Sequence, residues 1–120
     1  MRLAYAAGAM NEREGSEALA LCFAEAGLKI ERDYRFREGG VDVSLDGFDP
    51  VARIGFEFIT TEAGDRAEFT AAVVEELETR MRAEELFVFL VDEAHVPDTE
   101  TLLGAARAFL DVLRDRGKLP

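Results

Sequence analysis

The chain has no tryptophan, one cysteine, one histidine, three prolines and, among its 120 residues, lysine only at Lys29 and Lys118. One cysteine excludes an internal disulfide and any Cys/His zinc spacing. Cys22 falls in a helical apolar pattern and is expected as a buried, inert thiol in a reducing compartment. No apolar run approaches the roughly 20 residues that cross a bilayer. The opening MRLAYAAGAM lacks the apolar centre of a secretory signal. These absences predict a cytoplasmic location. No serine nucleophile elbow, phosphate-cradling glycine loop or dinucleotide fingerprint occurs.

Acid is what the chain has in excess. Twenty-five Asp and Glu stand against fourteen Lys and Arg, for a net charge of −11, beside a 48% hydrophobic content and a mean hydropathy of −0.06. Residues 1–120 are long enough for one globular α/β domain with a single core. The mean field repels phosphate backbones and anionic membranes, so nucleic acid and membrane are poor partners and a basic protein surface is a better one. Solubility alone accounts for the charge equally well.

Seven elements are predicted, in the order α-β-β-β-α-β-α. Asn11, with Glu14 three residues on, reads as a capping box. Leu19, Cys22, Phe23 and Ala26 form an apolar stripe ended by Gly27, and residues 1–10 either extend this helix or stay disordered. Ile30, Tyr34 and Phe36 then alternate with Glu31, Asp33, Arg35 and Arg37 in a half-buried strand. Gly39-Gly40 is a turn. VDVSL and RIGFEFIT read as a second hairpin around a DGFDP loop. With that loop centred between Asp49 and Pro50, Val41 faces Phe58, Val43 faces Phe56 and Leu45 faces Ile54, which sets Asp42 opposite Glu57. Such carboxylates repel unless a cation, Arg35 or Arg53 lies between them, and a solvated sheet face is the simpler account. A second helix is predicted from about Asp65 to Ala83, with Phe69, Val73, Leu77 and Met81 facing the core. The run from Leu86 to Val91 reads as a parallel strand covered on both faces. Asp98 caps a last helix with Leu102, Leu103, Ala106, Leu110 and Leu113 apolar.

An acidic residue on the second strand, at Val41-Asp42, and another on the third, in GFEFIT from Gly55 to Thr60, resemble the PD-(D/E)xK nuclease superfamily. The resemblance implies a restriction-endonuclease-like mixed four-stranded sheet flanked by helices. It also implies one or two magnesium ions on Asp42 and Glu57, with Glu17 of the first helix assisting. In that family a lysine two places after the Glu orients or activates the attacking water; here Ile59 occupies that position. The resemblance therefore points to a nuclease-like scaffold without nuclease chemistry.

A second cluster is expected where the third and fourth strands end. There Thr60, Thr61 and Glu62 would meet Asp92, Glu93 and the lone His95, the end at which open α/β sheets bind ligands. Two functional readings stand side by side. One is a non-catalytic binding module that needs no cofactor and presents an acidic surface to a protein partner in an accessory, inhibitory or immunity role. The other is a divergent Mg2+- or Mn2+-dependent phosphodiesterase using Asp42 and Glu57. Homodimerisation is left open, through a fourth strand at the sheet edge or an exposed Phe48.

Overall fold

The computed structural model describes residues 11–60 and 65–120. Asn11 opens the first helix as its spacing predicts. Its Oδ1 accepts the Glu14 N–H at 2.8 Å and Glu14 Oε1 accepts the Asn11 N–H at 3.1 Å, so two donors without helical partners satisfy each other's residues. Helix α1 (Glu12–Glu25) stops before Gly27, whose φ of 94° suits a residue without a β-carbon. Then come β1 (Glu31–Glu38), β2 (Val41–Asp49), β3 (Ile54–Ile59), a single turn α2 (Asp65–Glu68), α3 (Ala71–Arg82), β4 (Phe87–Asp92), a 3-10 turn (Glu93–His95) and α4 (Thr99–Asp115). The strands form one sheet in the order β1-β2-β3-β4. Its pairs are antiparallel except for β3 and β4, which are parallel.

The result is a mixed four-stranded sheet between two helical layers. On one face, Leu19, Cys22 and Phe23 of α1 and Leu102, Ala106, Leu110 and Leu113 of α4 cover Ile54, Phe56 and Phe58. On the other, Leu77 of α3 joins Phe36, Val41, Val43, Leu45, Phe48, Ile59 and Val88. Each fully buried Leu or Phe contributes roughly 1.5–3 kcal/mol. Cys22 is a free thiol in the first cluster, and burial raises its pKa, as an inert core cysteine requires. β4 has apolar side chains in both clusters, in keeping with its unbroken run.

Several expectations are corrected. Residues Asp46–Asp49 of the DGFDP segment belong to β2, and the turn is Pro50–Arg53. Asp49 Oδ1 accepts the Val51 and Ala52 N–H groups, both at 3.0 Å, and closes that turn. The β2/β3 register consequently differs by four residues from the predicted one: Gly47 pairs with Phe56, Phe48 with Gly55 and Asp49 with Ile54. Val41, Val43 and Leu45 lie on the opposite side of the sheet from Ile54, Phe56 and Phe58. Ile30 packs with the α1/α4 cluster, whereas Tyr34 and Phe36 pack on the α3 side. The alternation changes phase at Asp33, whose φ of 50° is left-handed. Phe48 is 1% exposed and is no docking residue. The helix predicted over 65–83 is broken at Phe69-Thr70, where Thr70 Oγ1 accepts the Val73 N–H at 3.3 Å and starts α3 afresh. Residues 1–10, Thr61 and Glu62 lie outside the described residues.

Candidate functional site

Beyond the Gly47/Phe56 pair, carboxylates take over the hydrogen bonding between β2 and β3. The Asp46 N–H donates to Glu57 Oε1 at 2.8 Å, and the Phe58 N–H donates to Asp46 Oδ2 at 2.8 Å. Glycine makes the approach on the near side of this fork feasible. A β-carbon on Gly55 would overlap the Gly47 carbonyl oxygen, and one on Gly47 would overlap the Phe56 ring.

Two helix starts bring further carboxyl groups to the fork. Asp65, the first residue of α2, accepts the Thr60 N–H at 3.0 Å through Oδ2 and reaches Glu57 with its carboxyl group. Glu12, the first residue of α1, hydrogen-bonds Asp46. Arg32 stands at the rim, with Nη2 donating to Ser16 Oγ at 2.7 Å and Nε to the Asp46 carbonyl at 3.2 Å.

The electrostatics are severe because the group is enclosed: Glu57 is 0%, Asp65 6% and Asp46 8% exposed. Burial is the main cause that pushes Asp46 up to about 8 and Glu57 up to about 10, and their neighbouring carboxylates add to it. Among the described residues, Glu57 Oε2 is a buried oxygen with no hydrogen-bond donor. The Glu57 and Asp65 carboxyl groups also meet, and as two ionised carboxylates only accept, that contact requires a proton or a cation.

Such a group can share protons, or it can offer hard oxygen ligands to Mg2+ or Mn2+. The residues fit a hard divalent cation in donor type and in the orphaned Glu57 oxygen. Among the described residues no group of three or more acidic, histidine or cysteine side chains is placed to hold a metal ion. One oxygen each of Asp46, Glu57 and Asp65 is held by a backbone N–H, so closing round an ion would need the remaining oxygens to turn inward.

Of the residues singled out in the sequence, Glu57 lies in this group and Asp42 and Glu17 do not. Asp42 is exposed and accepts from Arg35 Nε at 2.8 Å and Arg37 Nε at 3.1 Å, which hold its pKa below the usual carboxylate range. It belongs to a solvated sheet face. Glu17 is exposed and pairs with Arg13 at 3.3 Å, five residues on from the Glu12 that reaches the fork and on a different face of the helix. Lys29 lies elsewhere, its backbone N–H bonded to Asp49 at 2.8 Å.

At the second cluster, Arg66 already holds the acids. It grips both oxygens of Asp92, at 2.6 and 2.9 Å, and lies 3.8 Å from Glu93. That hydrogen bonding lowers Asp92 to about 2. Thr60 is buried against Asp65, and His95 is exposed in the 3-10 turn.

Asp46, Asp65, Glu12 and Arg32 escaped the sequence reading. Asp46 was hidden by the misplaced turn, since a register four residues off brings Asp42 to Glu57. Asp65 and Glu12 each begin a helix, where an acidic residue is ordinarily explained by the dipole. Compared with known proteins, the chain matches no family model, no curated protein and no solved structure.

Proposed function

We propose that this domain is a nuclease-like module without nuclease chemistry that holds a divalent cation, Mg2+ or Mn2+, among Asp46, Glu57, Asp65 and Glu12 and offers its acidic exterior to a basic protein partner. The observation that carries the reading is Glu57 Oε2, an orphaned oxygen on a fully buried carboxyl that faces other carboxyls. An acid in that position costs stability unless a cation or proton offsets it. When bound, the cation supplies charge neutralisation at the β2/β3 fork. The enclosure of Glu57 speaks for a cation that holds the fold rather than one that meets a substrate. Ile59, at the place of the family's lysine, packs among Val41, Val43 and Leu45 and brings no charge to a reaction.

Thermal unfolding and titration calorimetry with Mn2+ and Mg2+ test the cation. The parent is expected to bind and to melt higher with Mn2+, Glu57→Gln and Asp46→Asn to lose the response, and Asp42→Asn to keep it. No response in the parent would leave the group as a proton-sharing structural element and remove the cation from the reading. The partner is expected to be a basic protein whose association weakens as salt rises. Affinity capture at low and high salt checks this, and salt-insensitive capture would count against the acidic exterior.

A divergent phosphodiesterase is the second reading, favoured by one observation. Arg32 is an exposed guanidinium beside the Asp46 carbonyl, placed to meet a phosphate where the family's lysine is missing. Incubation of single- and double-stranded oligonucleotides with Mn2+ separates the readings. Cleavage abolished by Glu57→Gln would replace the first with the second.

A further inference from the structure

The two edges of the sheet are built differently. β1, at one edge, reads ERDYRFRE, with a charge at six of its eight positions and a left-handed Asp33 in its course. Charges and backbone irregularities are the usual guards against edge-to-edge association. β4, at the other edge, reads FVFLVD and carries no charge, proline or glycine from Phe87 to Val91. Nothing in its own sequence guards it.

The backbone of β4 shows which groups are left over. The Phe87 N–H donates to the Arg53 carbonyl at 2.9 Å, on the β3 side. By alternation Phe89 and Val91 also turn their N–H and C=O groups towards β3, while Val88, Leu90 and Asp92 turn theirs away from the sheet. Among the described residues the outward Val88 N–H is met by the Met81 thioether sulfur at 3.4 Å, a weak acceptor standing where a strand would place a carbonyl.

Beside this edge lies a groove of about 330 Å³ lined by Met81, Arg82, Phe87, Phe109, Val112 and Arg116, among others. Val112 is 54% exposed there. The groove sets two guanidinium groups at the Phe87 end of the strand, where Lys118 offsets Glu84 at 2.8 Å and Glu85 is the remaining acid. The Asp92 end carries Asp92 and Glu93 against the single Arg66. An extended apolar edge with basic and acidic ends is complementary to itself when the second strand runs antiparallel, as a two-fold axis requires.

We propose that the chain forms a two-fold dimer in which β4 pairs antiparallel with β4 of a second copy, joining the two sheets into one. Centred on Leu90, the pairing sets Leu90 against Leu90 of the copy and Val88 against its Asp92, so that the outward groups of both strands exchange hydrogen bonds. The basic end of each strand then meets the acidic end of the other. Val112 and Phe109 of α4 stand beside the junction and lose exposed apolar surface on one face, as Leu90 does on the other. This surface is separate from the carboxyl group at the β2/β3 fork.

Sedimentation velocity over a concentration series, with amide hydrogen exchange at each end of it, tests the proposal on the full chain. A reversible dimer is expected, with slower exchange at Val88 and Leu90 as it forms. Arg82→Glu combined with Arg116→Glu, both exposed and outside the core, is expected to weaken the dimer by roughly tenfold or more. Leu90→Pro, which removes an outward N–H while sparing the β3 ladder, is expected to abolish it. If the proline variant does not fold, the arginine pair decides. A monomer at every concentration overturns the proposal. So does a dimer indifferent to the arginine pair, or protection of Val88 and Leu90 that is already complete in the monomer.

Discussion

Arg80 shows how one buried cation organises its surroundings. It sits on the inner face of α3, 9% exposed, with Nη2 donating to the Glu38 and Gly39 carbonyls at 3.0 and 3.1 Å and Nε to Glu76 at 2.9 Å. Its guanidinium lies 6.0 Å from the centre of the Phe36 ring. The β1/β2 turn is thereby tied to a helix more than forty residues later, and a β-carbon at Gly39 would collide with the same guanidinium. Arg80→Ala is expected to cost about 2–3 kcal/mol, because it strands two carbonyls and opens a gap beside Phe36. Denaturant titration checks this, with Arg80→Lys expected to recover only part, since an ammonium lacks the planar fork. The sequence placed Arg80 on a helix, but its inward orientation follows from where the hairpin lands.

At the scale of elements, the β2/β3 hairpin decides the candidate site. Gly47 and Gly55 let the strands close on one side of the fork, while the Asp46 and Glu57 carboxylates bridge it on the other. Gly55→Ala forces a β-carbon against backbone rather than a flexible side chain. The expected loss is roughly 2–4 kcal/mol, with the fork disturbed as well. The thermal midpoint and the exchange rate of the Phe58 amide measure the two effects, and a midpoint equal to the parent's would show that the strands can separate without penalty. The existence of both strands was legible in their alternation. Their pairing was not, because DGFDP has a turn composition and its strand character comes from Asp49 capping the residues after it.

The whole molecule responds to pH through the same group. Folded Asp46 and Glu57 hold their protons to about pH 8 and about pH 10, whereas the unfolded chain releases them near about pH 4. Between these limits the native state binds more protons, so this contribution is fully present below about pH 4 and is lost as pH rises through the folded values. Asp92, lowered to about 2 by Arg66, works in the opposite sense: its contribution is present above about pH 4 and lost as pH falls towards 2. The partial exposure of that pair keeps it small. In the presence of a chelator the parent is expected to be most stable near about pH 5 and to weaken towards about pH 8. Glu57→Gln is expected to flatten that decline and to gain about 1–3 kcal/mol at the alkaline end, because a neutral amide has no proton that the folded state must hold and the unfolded chain releases. Calorimetric scans across this range provide the check; a parent that gains stability between those pH values would refute the burial argument.

The order of elements, the capped starts of α1 and α4, the doubly covered β4 and the net charge of −11 can all be read from the amino-acid sequence. Each depends on period, local hydrogen bonding or simple summation along the chain. The tertiary structure alone decided which carboxyls meet. The β2/β3 register is set by the turn at Asp49, while the β1/β2 register runs unchanged past Asp33, and a shift of four residues keeps the alternation of either strand in phase. That shift moves the partner of Glu57 from the solvated Asp42 to the buried Asp46. The packing of α1 and α2 then adds Glu12 and Asp65, from positions that local sequence explains equally well as helix starts.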